Sequence, residues 1–330
     1  MTVLFMEGFD AVSSTADLAR KWRGATVVIS GANGLRSGQH AAIIGGGSAA
    51  ILDCAIGSAK GTLCVGLALR VESSDTVDRP LVRFRDGATA DQCGVWITPD
   101  RRLAFYRGAT SIATSAPVVT LNTWGYLEFK VVFGDSGSYQ IKYAGANALS
   151  ASGVDTTATV NQSADTVYFG LNSTVYFYWR FDDMYVDDAN LLGEVRIDTI
   201  KPTSDGNYQE WTPSTAGAHW SLVDEVSPLS QSDQVSAASV GLRDTYGLSD
   251  VGVLALPVAA VQVSATMASD GTRSGGVMIR SGSVDSSGVG VALSPTWKMP
   301  ATTWTVDPAT GVAFTEAGVN AMEAGVLVTA

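Results

Sequence analysis

The densest cluster of ionisable side chains is Asp182, Asp183, Asp187 and Asp188, within Phe181-Asp-Asp-Met-Tyr-Val-Asp-Asp188. Paired carboxylates can cleave a glycosidic bond when one serves as acid and the other as base or nucleophile across the same sugar. On a strand, Asp182 and Asp183 point to opposite faces, so they cannot serve one site together. No Glu-x-Asp-x-Glu triplet, as in β-jelly-roll glucanases, occurs in the chain. Carboxylates at the rim of a sheet also offer the hard oxygens that Ca²⁺ takes, which makes these four aspartates candidate ligands for a structural Ca²⁺. No Asp-x-Asp-x-Asp-Gly loop accompanies them, and the plainer reading is a strand end whose acids pair with Arg180 or lysines.

Gly134-Asp135-Ser136-Gly137 resembles the surroundings of a serine-protease nucleophile, but a triad needs a histidine base. The chain holds only His40 and His219, neither in a protease-like context, and a hairpin loop accounts for the four residues. Gly45-Gly46-Gly47-Ser48 lacks the lysine and following helix of a phosphate loop and reads as a turn. Among the aromatic residues, Trp96, Tyr106, Tyr176, Tyr178 and Trp179 are candidate sugar-stacking platforms; on half-buried strands the alternatives are core or subunit interface. Cys54, Cys64 and Cys93 show no metal-ligand spacing and read as buried free thiols, with a Cys54–Cys64 bridge open if their strands are neighbours. Asn161-Gln162-Ser163 and Asn172-Ser173-Thr174 read as chance matches to a glycosylation pattern. Catalytic residues and cofactors are accordingly expected to be none, and the chain is not expected to be an enzyme.

These residues sit in 330 residues with 16% charged side chains, 35 glycines and a formal net charge of −11. Little charge with abundant Gly, Ser, Thr and Val favours strands joined by tight turns. The acidic balance leaves no electrostatic footprint for phosphate backbones, so nucleic acid is not an expected partner. No apolar run has the length to span a bilayer and residues 1–5 lack a basic leader, so neither membrane insertion nor a cleaved export signal is expected.

Period-2 alternation bounded by Gly, Pro, Asp and Asn recurs throughout. It predicts one hairpin over 93–107 about Pro99-Asp100, a second over 124–143 about the loop 134–138, and a third over 258–280 about Asp270-Gly271. The run 62–71 is nearly continuous apolar and reads as a central strand. Short helices are expected near 14–22, where Ser14 and Asp17 resemble a capping box, and near 315–323. The fold expected is all-β, two β-sandwich (jelly-roll-like) domains over 1–190 and 191–330 with one or two short helices.

Glu7-Gly8-Phe9-Asp10, the strand from Trp124 to Glu128 and the closing run 181–186 resemble concanavalin A-like, laminin-G-type sandwiches. From about residue 120 onward the chain also resembles structural proteins encoded among bacteriophage tail genes. The residues carrying this include Gly193-Glu-Val-Arg196, Pro202-Thr-Ser-Asp-Gly206, Gln209-Glu-Trp-Thr-Pro213, Trp220-Ser-Leu-Val-Asp-Glu225 and Trp304-Thr-Val-Asp-Pro308. That resemblance implies a virion component of tail tip, baseplate or fibre, made in the bacterial host cytoplasm. It further implies homo-oligomers, trimeric by analogy with fibres, and contacts with other tail proteins and with a host cell-surface glycan. A lectin-like carbohydrate-binding module is the alternative, and a polysaccharide hydrolase a third.

Overall fold

A computed structural model describes residues 2–31, 34–35, 40–44, 50–87, 89–171, 178–225, 232–252 and 257–330. The chain divides into two compact units, Met1–Ile197 and Asp198–Ala330, and nearly all regular structure is antiparallel β.

In chain order the first unit contains β1 (Val3–Glu7), α1 (Thr15–Lys21), β2 (Gly24–Ala25), β3 (Val28–Ser30), β4 (His40–Ile44), β5 (Ala50–Lys60) and β6 (Thr62–Ser73). Then come β7 (Arg79–Asp86), β8 (Ala90–Ile97), β9 (Arg102–Arg107), β10 (Thr110–Pro117), β11 (Trp124–Val132), β12 (Gly137–Tyr143), β13 (Ala146–Val154), β14 (Ala164–Leu171) and β15 (Tyr178–Asp187). Sheet A runs β13-β12-β11-β6-β15-β4-β3, with β1 also on β15, and sheet B runs β10-β9-β8-β7-β14-β5-β2.

Alternation along these strands turns one apolar set inward from each sheet, and the two sets meet in one core. Phe84 of sheet B stacks on Phe129 of sheet A at 4.9 Å, and Phe105 on Tyr139 at 3.9 Å. Each buried phenylalanine contributes about 1.5–3 kcal/mol by leaving water. The run read as a central strand is β6, paired on both sides by β11 and β15. The hairpins expected over 93–107 and 124–143 form as β8–β9 and β11–β12. Helix α1 starts where expected: the Ser14 hydroxyl accepts the Asp17 N–H and donates to the Asp17 carboxylate.

After β15 the chain does not leave the sandwich. Residues 189–197 run over the outer face of sheet A, where Leu192 and Val195 cover Ala68, Tyr126 and Tyr185. Hydrogen bonds fix the segment along its length. The Lys130 ammonium donates to the Ala189 carbonyl at 2.6 Å, Glu128 accepts the Gly193 N–H at 2.8 Å, and the Tyr185 hydroxyl accepts the Leu192 N–H at 2.8 Å and donates to Glu128 at 3.2 Å. The Asp183 carboxylate accepts the Ile197 N–H at 2.9 Å. This seat is why the division falls after Ile197 rather than at residue 190.

The second unit holds β16 (Pro202–Gln209), β17 (Thr212–Pro213), the 3₁₀ turn His219–Leu222, β18 (Val235–Ser236), β19 (Arg243–Leu248), β20 (Val261–Ser264) and β21 (Ser274–Ser281). It ends with β22 (Val284–Ser287), β23 (Val291–Ala292), β24 (Ala301–Trp304), α2 (Glu316–Ala321) and β25 (Glu323–Val328). Its main sheet runs β16-β19-β25-β21-β22, with β23 on β21. The ribbon β20–β24 and helix α2 contribute Val261, Val263, Trp304, Val319 and Met322 to the packing around Ile279 and Val277. One expectation fails here. The strand preceding Asp270-Gly271 pairs with β24 and the strand following it pairs with β25 and β22, so the local turn forms without a hairpin. The Asp270 carboxylate accepts the Thr272 N–H, which satisfies the turn by itself.

Candidate functional site

Sheet B turns Val82, Phe84, Cys93, Val95, Phe105, Val167 and Phe169 into the core, so the residues between them face outward. Strand register aligns one residue from each of six strands into a transverse row: Asp53 opposite Tyr168, Tyr168 opposite Arg83, Arg83 opposite Gly94, Gly94 opposite Tyr106, and Tyr106 opposite Ser111. Five strand spacings make this row about 24 Å long.

At one end the row is aromatic. Trp96 and Tyr106 stack at 4.4 Å with their planes 25° apart, and the Tyr106 hydroxyl donates to Asp78. Burial, helped by Asp78, pushes the Tyr106 phenol above its ordinary range. In the middle Gly94 leaves a gap into which Trp96 leans: a Cβ there would lie 2.3 Å from the Val82 carbonyl oxygen and 2.7 Å from the Trp96 ring. Any larger residue would push both the ladder and the ring.

Towards the other end the row is ionic. The Tyr168 ring carries the Arg85 guanidinium at 3.8 Å and the Arg83 guanidinium at 4.6 Å. Arg83 donates to one Asp91 oxygen at 2.9 Å and to the Gly170 carbonyl at 3.1 Å, while Arg85 Nε donates to the other Asp91 oxygen at 2.6 Å. Arg23 grips both oxygens of Asp53 at 3.0 and 2.8 Å and reaches the Thr166 hydroxyl. Burial raises the Tyr168 phenol while the two guanidiniums pull it back, and burial lowers Arg83 against the support of Asp91. Flat aromatic surface beside forked cationic donors can hold a sugar ring by its C–H face and its polar edge.

Of the sequence candidates, the structure brings Trp96 and Tyr106 together on this face and separates them from the others. Tyr178 is exposed at the start of β15 in sheet A. Trp179 is corrected: at 1% exposure it lies in the core between the sheets and presents no face to a sugar. Sequence reasoning missed Asp53, Arg83, Arg85, Asp91 and Tyr168. The one local signal was Arg83 and Arg85 two apart within Leu81-Val-Arg-Phe-Arg85, a polar face on an otherwise apolar strand.

The four aspartates serve the backbone. Asp187 accepts the N–H groups of Ala189 and Asn190 at 2.7 Å each, Asp182 accepts that of Asp183, and Asp188 accepts that of Thr2 and pairs with Lys60. Asp183 lies at φ 46° within an irregularity of β15, its carbonyl taking the Tyr126 hydroxyl and its carboxylate taking Ile197. Among the described residues no group of three His, Cys, Asp or Glu is arranged to hold a metal ion. Gly134–Gly137 is the β11–β12 loop, fixed by Thr156, and the side chain of His40, the runs 45–48 and 172–174 and Tyr176 lie outside the described residues. His219 Nδ1 sits 3.0 Å from the fully buried Asp244, which also accepts the Tyr246 hydroxyl at 2.8 Å; among the described residues no serine hydroxyl bonds to that imidazole. The thiols are free. Burial pushes Cys54 and Cys64 up to about 12, and Cys93 upward as well.

No family model matches the chain, and no curated protein matches it. Solved structures do. An endo-β-1,4-glucuronan lyase from the fungus Trichoderma reesei is 16% identical with a TM-score of 0.42, over 56% of this chain and 95% of that one. Cellulose induced protein Cip1 is 12% identical with a TM-score of 0.45, over 57% and 98%. A carbohydrate esterase from the Shiga toxin-encoding bacteriophage phi24B is 11% identical with a TM-score of 0.41, over 56% and 97%. The expectation that the chain is not an enzyme is withdrawn: the solved structures similar to about half of it include a lyase and an esterase.

Proposed function

We propose that the first unit recognises carbohydrate on the outer face of sheet B, and that it does so within a bacteriophage tail tip, baseplate or fibre. The observation that carries the carbohydrate reading is the row Asp53, Tyr168, Arg83, Gly94, Tyr106. It sets a stacked aromatic pair, a glycine over which Trp96 packs and a cluster of guanidiniums side by side on a sheet rather than on loops, so their spacing is held by the ladder. The outer face of sheet A offers no such surface around Tyr126 and Tyr185, because residues 189–197 cover it. The virion setting is supported by the resemblance of residues 181–225 and 304–308 to tail structural proteins, and by a composition poor in charge. Assembly with copies of itself and with other tail proteins belongs to the same proposal.

A glycan array probed with the intact chain tests the carbohydrate reading. Binding is expected, and Tyr106→Ala is expected to weaken it about tenfold or more, in line with loss of an aromatic anchor. An array with no bound glycan, or binding indifferent to Tyr106→Ala and Gly94→Val alike, overturns the reading. Antibody labelling of purified particles tests the setting, and unlabelled particles would remove it.

A further inference from the structure

We infer that the sugar lying on Tyr106 is neutral and is selected by hydroxyl groups that donate to Asp78; this rests on the carbohydrate reading above. The reason begins with which ring is free. Trp96, 9% exposed, has the Gly94 backbone against it, where a Cβ would lie 2.7 Å from the ring, and Tyr106 stacked on it at 4.4 Å. Tyr106 is half-buried, so the pair offers a ligand the ring face of Tyr106 that turns away from Trp96. The far end of that ring is held too, because its hydroxyl donates to Asp78 Oδ2. A ring fixed at one face and at its hydroxyl has little freedom left to lose when a sugar settles on it.

Asp78 stands apart from the carboxylates of the neighbouring strands and turns. Asp53 is paired with Arg23, Asp91 with Arg83 and Arg85, Asp75 with Arg79, and Asp100 with Arg102. Asp78 has no cation paired with it among the described residues: Oδ2 takes the Tyr106 hydroxyl, and Oδ1 is neither enclosed nor hydrogen-bonded there. An ionised carboxylate can only accept, so what it selects at the edge of the Tyr106 ring is a donor. Sugar hydroxyls donate, whereas a sugar carboxylate would meet Asp78 as a like charge. No arginine among those named is left over to offset that charge, since each already faces an acid, and Asp165 adds a further negative charge near Arg23. One neutral pyranose meets both demands, with its C–H face on Tyr106 and a hydroxyl on Asp78.

The test uses the intact chain and short oligosaccharides of glucose, galactose and mannose, each beside its uronate twin, followed for the tightest by analogues lacking one hydroxyl at a time. Isothermal titration should show at least one neutral oligosaccharide bound about tenfold more tightly than its uronate twin, with little change in its own affinity as salt rises. Loss of one particular hydroxyl should weaken binding about tenfold to a hundredfold, as expected for a hydrogen bond to a charged acceptor. Asp78→Asn keeps an oxygen for Tyr106 and puts an amide donor where the second acceptor stood. It should weaken the neutral sugar by a similar factor and no longer distinguish the deoxy analogue from its parent. Tyr106→Phe keeps the ring and should leave that distinction in place. A uronate bound as tightly as its neutral twin, or Asp78→Asn without effect, would overturn the inference and leave carbohydrate recognition standing. Neutral sugars, uronates and array all silent would remove the carbohydrate reading and this inference together. The twins and the deoxy series need no variant, so a misfolded substitution does not blunt them.

Discussion

Glu128 shows how one buried side chain can set the extent of a domain. It is 3% exposed and accepts both the Gly193 N–H and the Tyr185 hydroxyl. Glu128→Ala strands two donors beneath the 189–197 segment and should destabilise the first unit by about 2–3 kcal/mol, read from the midpoint of a urea transition. Asp187 behaves differently because burial is the largest influence on it and raises its carboxyl above the ordinary 3.8. An acid with a raised native value holds its proton longer when folded, so its contribution is favourable below about pH 4 and is lost as pH rises through the raised value. Asp187→Asn keeps an oxygen for Ala189 and Asn190 and removes the titration. The stability of wild type relative to this variant should therefore fall as pH rises from 4 towards neutrality; parallel pH profiles would exclude it.

Elements were legible wherever local chemistry agreed with the final pairing. Alternation plus a turn dipeptide is enough for β8–β9 and β11–β12, and a hydroxyl three residues before a carboxylate is enough for α1. Ser14→Ala should cost about 1 kcal/mol in thermal or urea unfolding, while the exposed Ser58→Ala should be silent. The same local reading failed at Asp270-Gly271 because the partner of β20 is β24, far along the chain and joined by no turn signal. The candidate site failed to appear for a related reason. Asp53, Arg83, Gly94, Tyr106 and Tyr168 come from five strands whose register is set by the whole sheet, and no window of sequence contains them. Gly66 illustrates how tightly such register is held: a Cβ there would lie 2.0 Å from the Tyr185 ring. Gly66→Ala should destabilise by about 1–3 kcal/mol and loosen the 189–197 segment, which amide exchange at Leu192 and Gly193 would report.

At the scale of the whole molecule, each unit holds its own core. A fragment of residues 1–197 should fold alone and unfold with one sharp transition. Stopping at residue 190 deletes the Leu192, Gly193 and Ile197 bonds together with the apolar cover over Tyr126 and Tyr185. That shorter fragment should lose about 3 kcal/mol or more, and equal stability of the two would contradict the seat described for 189–197. The seat has a mechanical meaning as well. A pull on the chain from residue 198 meets Asp183 at Ile197 first, then Glu128 at Gly193, then Tyr185 at Leu192, and last Lys130 at Ala189. The load falls on one bond after another before it reaches the sheet, so the segment yields in short steps of released length and leaves the sandwich intact under tension.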